Sequence, residues 1–346
     1  MKHIPVVAIS DNKLSFAVGA LFVNLLETKD KTTFYELVAV LSPDVTKENI
    51  DKIKQVQKLY PNDCSVKIIQ MDSRFDAIPN KTGYIANACA YKMCLGEILP
   101  EYKKVVYLDT DIIVFGDLSE LYDTDMDDAY IAGVHSLFHY LYRRHFPERL
   151  QIADMACYIN AGIMVMNLDK IRNDKIQTKL TKLIGTYNDS VDQHIFNRVC
   201  YGHIKLVSPV YNTNRTHEWL YEHPEIFIGL TPQQVIEVKE HPMIYHYTGP
   251  QKPWRYFDLR YSAVWLRYYK KSPFGDKNLD LISQKEEAER LAKERALLEM
   301  QNNKSVPARR KRKWYKKLLS VDKINIKNKR RLTLRILGFE IHGSSI

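Results

Sequence analysis

Two aspartates one residue apart, Asp109 and Asp111, interrupt the stretch "KKVVYLDTDIIVFGDL" (103–118) between apolar runs at 105–108 and 112–115. A buried carboxylate is costly unless it is paired or bound to a cation. Two carboxylates at the end of a buried strand face one cleft if the backbone bends there. They then repel each other unless a cation lies between them. Hard oxygen ligands suit Mg2+ or Mn2+, with water and phosphate completing the shell. A bare Asp-x-Asp is weak by itself, because the chain has three, at 109/111, 123/125 and 125/127. The last two fall in "YDTDMDDAY" and read as a solvated loop. The plain alternative for the first pair is a helix cap, or an ion pair with Lys103 or Lys104.

A second group of reactive types stands in "HPMIYHYTGPQKPW" (241–254). His246 ends an apolar run and offers an imidazole that Mn2+ accepts. Gly249 permits close backbone approach to a phosphate, and Lys252 supplies a positive charge for it. A lone histidine is more often structural. A His–Gly–Lys grouping beside a proline-stiffened loop is harder to dismiss.

These residues need a scaffold, and the pattern around them supplies one. Residues 4–10, 35–42, 64–71 and 103–108 read as strands. Segments 11–27, 46–60 and 84–100 read as helices between them. Near-continuous apolar strands alternating with helices predict an α/β fold with a mostly parallel central sheet. In such sheets ligands bind beyond the carboxyl ends of the strands, where Asp109, Asp111, Ser10 and Asn12 fall. Further strands are expected at 129–134, 160–168, 203–209 and 243–248, and helices at 192–200, 261–271 and 282–301.

Four segments, "YLDTDIIV", "YINAGIMVMNL", "DQHIFN" and "HYTGPQKPW", occur in the order and at the separations seen in glycosyltransferase family 8. The sequence resembles this family over about residues 3–260, and the bacterial lipopolysaccharide galactosyl- and glucosyltransferases most of all. The resemblance implies a GT-A type nucleotide-sugar-binding fold, a UDP-hexose donor, Mn2+ (or Mg2+) and retention of anomeric configuration. It implies that Asp109, Asp111 and His246 hold the metal, with Thr110 between the aspartates. Ala8 and Asn12 would lie along uracil and ribose. Gly249 and Lys252 would contact the diphosphate, and Asn160 and Ala161 would line the donor sugar. Asp192 and Gln193 would hold the sugar hydroxyls near the anomeric centre and act as the catalytic pair. Two positions depart from the family. Ser10 stands where relatives often carry an acidic residue facing uracil. Lys92 stands where arginine is common, keeping the charge and losing the planar fork.

Charge is unevenly spread. The chain carries a net +10, but residues 301–346 carry +12 and the first 300 carry −2. The segment 305–339 interleaves cations with Trp314, Tyr315, Leu318 and Leu319, which suits an anionic lipid surface. The expected organisation is a catalytic domain at 1–260 and a helical, basic membrane-association region at 261–346. Five cysteines without regular spacing argue for reduced thiols. The N-terminus lacks the pattern of a signal peptide. The expected location is therefore cytoplasmic, peripheral on the inner face of the membrane, with a glycan or glycolipid acceptor and no nucleic acid. Three other readings compete: a nucleotide-sugar-binding relative without transfer, a nucleotidyltransferase, and a basic nucleic-acid adaptor. The nucleotidyltransferase would need a Gly- and Lys/Arg-rich loop after its first strand, and "AISDNKLS" is not one.

Overall fold

The computed structural model describes residues 1–75, 87–141, 146–187, 191–216 and 230–304, and the backbone of three strands within 319–344. The chain opens with β1 (Lys2–Ser10), which is buried from Ile4 onward. Asp11 then caps a short 3-10 turn, its carboxylate accepting the Leu14 N–H. Helix α1 (Ser15–Thr28) follows and is buried along most of its length. β2 (Thr33–Leu41) leads to α2 (Lys47–Leu59), whose first turn is capped by the Thr46 hydroxyl. β3 (Cys64–Gln70) and β4 (Lys104–Leu108) complete the parallel half.

Beyond β4 the chain changes sheets. β5 (Ile112–Val114) leaves the main sheet and pairs antiparallel with β9 (Ile244–His246). The main sheet continues through β6 (Ile131–His135), β7 (Ile159–Asn167) and β8 (Ile204–Leu206), with α3 (Val191–Val199) between β7 and β8. Its seven strands run in the order β3-β2-β1-β4-β7-β6-β8, and β7 is the strand antiparallel to both its neighbours. The predicted α/β architecture is thus present. β5 is tied to the body from its other side as well. Asn24 of α1, itself buried, donates to the Val114 carbonyl (2.8 Å) and accepts the Val114 N–H (2.7 Å).

Three expectations are corrected. The helix expected at 84–100 winds, over its described part, as a 3-10 helix at Asn87–Cys94 and a single α-turn at Leu95–Ile98; residues 84–86 lie outside the described residues. Three residues per turn eclipse i and i+3, which brings Cys89 and Lys92 to the same cleft. The domain expected to end at 260 extends further, since the first compact unit is Met1–Leu281 and the second Ile282–Ile346. The cause is α4 (Ser262–Lys271), which packs on α1. Trp265 stacks on Tyr269 with centroids 5.6 Å apart, and Phe16 meets both rings edge-on. Gly19 leaves the notch for Phe274, whose ring a Cβ there would meet at 2.6 Å. Finally, the C-terminal unit is not wholly helical. After α5 (Gln284–Lys304), strands β10 (Leu319–Ile326), β11 (Lys329–Ile336) and β12 (Phe339–Ser344) form an antiparallel sheet. Trp314, Tyr315 and Leu318 lie outside the described residues, as does the Leu319 side chain. Among the described residues, no helix is long and apolar enough to cross a membrane.

Candidate active site

The switch from one sheet to the other is what gathers the aspartates. The Asp109 N–H still bonds to β7, at the Gly162 carbonyl (2.7 Å), while the Asp111 carbonyl already accepts from Tyr247 beside β9 (2.9 Å). Thr110 is the buried pivot. Both carboxylates therefore face one cleft of about 610 Å³ beyond the carboxyl ends of β1 and β4. His246, at the end of β9 and paired with Ile112, comes to the same point. One oxygen from each aspartate and one nitrogen from His246 lie within 4.8 Å of one another. His246 Nε2 is 3.2 Å from Asp111 Oδ1 and 3.8 Å from Asp109 Oδ2.

The donor set suits a divalent cation on its own chemistry. His246 Nδ1 faces Asn212 Oδ1 at 3.1 Å. The Asn212 amide nitrogen is turned toward Asn160 Oδ1 (2.9 Å), so its oxygen accepts and Nδ1 carries the proton. A neutral imidazole then presents the Nε2 lone pair to two carboxylates. A second proton or a cation has to lie between them. Two hard carboxylates and an imidazole fit Mn2+ or Mg2+.

Around this triad the charges are closely set. Burial alone would push the Asp111 carboxyl up, but the Lys252 ammonium beside it holds it well below the usual carboxylate range. Lys252 bonds to Asp111 Oδ2 and to the Tyr247 carbonyl (2.7 Å). Lys92 is almost fully buried and lies between two carboxylates, Asp109 Oδ1 at 2.9 Å and Asp192 Oδ2 at 2.5 Å. Burial would lower its pKa, yet those two carboxylates raise it well above the normal lysine value. Its ammonium also sits 4.6 Å from the centroid of Tyr107, whose hydroxyl donates to Asp109 Oδ1 (2.6 Å).

Most residues expected at the site converge on the cleft. Ser10, Lys92, Asp109, Thr110 and Asp111 line it, as do Asn160, Asp192, Gln193, His246, Gly249 and Lys252. Gly249 has φ +80° with open space around its α-carbon, so backbone conformation is what requires glycine there. Three residues are placed differently. Ala8 is wholly buried in β1, in register with Ala39. Asn12 turns its side chain to the start of α2, accepting the Thr46 N–H (3.1 Å) and the Asn49 amide (2.8 Å). Ala161 acts through its backbone, its N–H donating to Gln193 Oε1 (3.3 Å).

Several functional residues were not legible beforehand. Tyr107 opens "YLDTDIIV" without any chemistry expected of it, and Asn212 lies outside every motif. Gly162 stood unremarked within "NAGIM", yet a Cβ there would lie 2.3 Å from His246 Cε1 and 2.8 Å from Asp109 Oδ2. The ligands can close on β7 only because that α-carbon is bare.

Sheet order, strand switch and site together define a glycosyltransferase of the GT-A kind. More specifically, the chain belongs to glycosyl transferase family 8, whose model matches residues 5–258. It is 26% identical over 239 residues to a putative glycosyltransferase of Haemophilus influenzae, covering 68% of each chain. It is 23% identical over 256 residues to general stress protein A of Bacillus subtilis, covering 72% of this chain and 86% of that one. Among solved structures it is similar to the galactosyltransferase LgtC crystallised with donor and acceptor sugar analogues. The TM-score is 0.67 at 20% identity, over 78% of this chain and 96% of the other.

Proposed function

We propose that this glycosyltransferase is a retaining hexosyltransferase. It moves galactose or glucose from a UDP-sugar to a saccharide acceptor, such as the core of a lipopolysaccharide or another surface glycan. The observation that carries this reading is the convergence of Asp109, Asp111 and His246 within 4.8 Å on the wall of a cleft that also holds Lys252.

Asp109, Asp111 and His246 would hold Mn2+ or Mg2+. When bound, the cation offsets negative charge on the departing diphosphate. Lys252 adds a second positive charge on the same side. Asp192, held by Lys92, and Gln193, held by the Asn160 amide and the Ala161 N–H, face the sugar. The residue nearest the anomeric carbon in this reading is an amide, a poor nucleophile. That favours attack from the face that the diphosphate leaves, over a covalent sugar intermediate. The basic segment after residue 301 supports a reversible hold on the anionic inner face of the cell membrane, where a lipid-linked acceptor would sit.

The test is a panel of nucleotide sugars with Mn2+, Mg2+ or chelator, read as nucleoside diphosphate release and product mass. Turnover of a UDP-hexose that needs the metal and vanishes in Asp111→Ala is expected. Equal turnover in chelator would refute the metal role. Donor binding with no transfer to any saccharide would favour a nucleotide-sugar-binding relative.

A further inference from the structure

A directed chain of hydrogen bonds leaves the metal triad and reaches a histidine outside every motif named above. Two backbone groups fix its polarity. The Gly162 N–H donates to Asn160 Oδ1 (3.0 Å), and the Ala161 N–H donates to Gln193 Oε1. A backbone N–H can only donate, so neither amide can be turned round. It follows that Asn160 Nδ2 donates to Gln193 Oε1 (3.0 Å). The opposite end of Gln193, its NH2, then faces His139 Nδ1 at 3.0 Å and the Tyr158 hydroxyl at 3.3 Å. An NH2 also only donates, so Nδ1 of His139 is the unprotonated ring nitrogen, and the Ser136 hydroxyl shares that acceptor (2.9 Å). His139, Gln193, Tyr158 and Asn212 are all buried, so water cannot substitute for a missing partner at low cost.

We propose that His139 is a positioning residue. By accepting from the Gln193 NH2 it anchors the far end of the amide whose oxygen the Ala161 N–H and Asn160 hold on the β7 side of the cleft. The proposal rests on the hexosyltransferase reading for its kinetic consequence, and on hydrogen bonding alone for its structural one. His139→Phe keeps the ring against Tyr158, 4.9 Å between centroids, and removes the acceptor. His139→Asn keeps an acceptor where Nδ1 stood.

In the full-length enzyme with Mn2+ and a turned-over UDP-hexose, His139→Phe should lower kcat by about 10- to 100-fold, the scale set by misplacing a group in the site. The donor KM should stay put, and His139→Asn should restore most of the rate. Adding His139→Phe to Gln193→Ala should cost nothing further, because the effect passes through Gln193. A second readout needs no activity. With 15N-glutamine labelling, the Gln193 side-chain amide, assigned by its absence in Gln193→Ala, should be protected from exchange in wild type and His139→Asn and unprotected in His139→Phe. His139→Leu replaces the Phe variant if that one does not fold. Equal protection in all three, or equal kcat for the Asn and Phe variants, would overturn the proposal. If the wild type turns over no nucleotide sugar, the hexosyltransferase reading fails and the exchange measurement still decides the role of His139.

Discussion

Single atoms decide whether this site can close. Gly162→Ala places a methyl group where His246 Cε1 and Asp109 Oδ2 now stand. The backbone of β7 is unaffected, so the fold should survive while Mn2+ affinity falls about 10- to 100-fold, as when a metal ligand's support is removed. Titration calorimetry with wild-type affinity in this variant would show that the ligands are held elsewhere. Lys92→Met tests the opposite balance. It leaves Asp192 without its cation and Asp109 with the Tyr107 hydroxyl, and removing one partner of a buried pair costs about 3–5 kcal/mol. Urea unfolding in chelator should show that loss, and a change under about 1 kcal/mol would mean that solvent reaches both carboxylates. His139 shows the limit of sequence reading at this scale. Its meaning comes from Gln193, 54 residues later, and no local pattern announces it.

At the scale of elements, the strands were legible because β1, β2 and β4 are near-continuous apolar runs buried on both faces. The bend between β4 and β5 was legible as a requirement of the two aspartates, though the antiparallel partner β9 that enforces it was not. Residues 87–94 misled, because a 3-10 winding and an α-helix draw on the same small and apolar residues. The join between α1 and α4 was missed because the charged face of α4 hides its aromatic one. That join includes Glu27, which bonds to Lys271 and to the Tyr60 hydroxyl (2.6 Å). Those partners hold its carboxyl below the ordinary glutamate value. A depressed carboxylate stabilises the fold above its unfolded pKa, and that contribution is lost as pH falls through the folded one. Glu27→Gln should therefore cost about 0.5–1 kcal/mol at pH 7, a screened surface pair, and less at pH 2. Urea midpoints at the two values check it; an equal deficit at both would assign the effect to packing.

For the whole molecule, the unit Met1–Leu281 predicts where the chain can be cut. Truncation after Leu281 should leave a cooperatively folding enzyme that turns over its donor. Truncation after Arg260, near the edge of the family match, removes Trp265 and Tyr269 from the core and should give an aggregating product. Size-exclusion and thermal melting distinguish the two; equal behaviour would make α4 dispensable. The proposed lipid contact belongs to the remainder, so vesicle sedimentation should fall with either truncation and with added salt.

The pairing of α1 with α4 also sets a clock for biosynthesis. Roughly 230 residues separate the two helices, and at ~5–20 residues per second a ribosome needs about 12–50 s to deliver the second after the first. Throughout that interval the face of the first helix that α4 covers lacks its native partner, although α2 and β5, which also pack on this helix, are made earlier. The nascent protein therefore exposes an apolar helix face to holding chaperones, and full protease resistance of α1 in arrested chains should appear only once α4 has emerged.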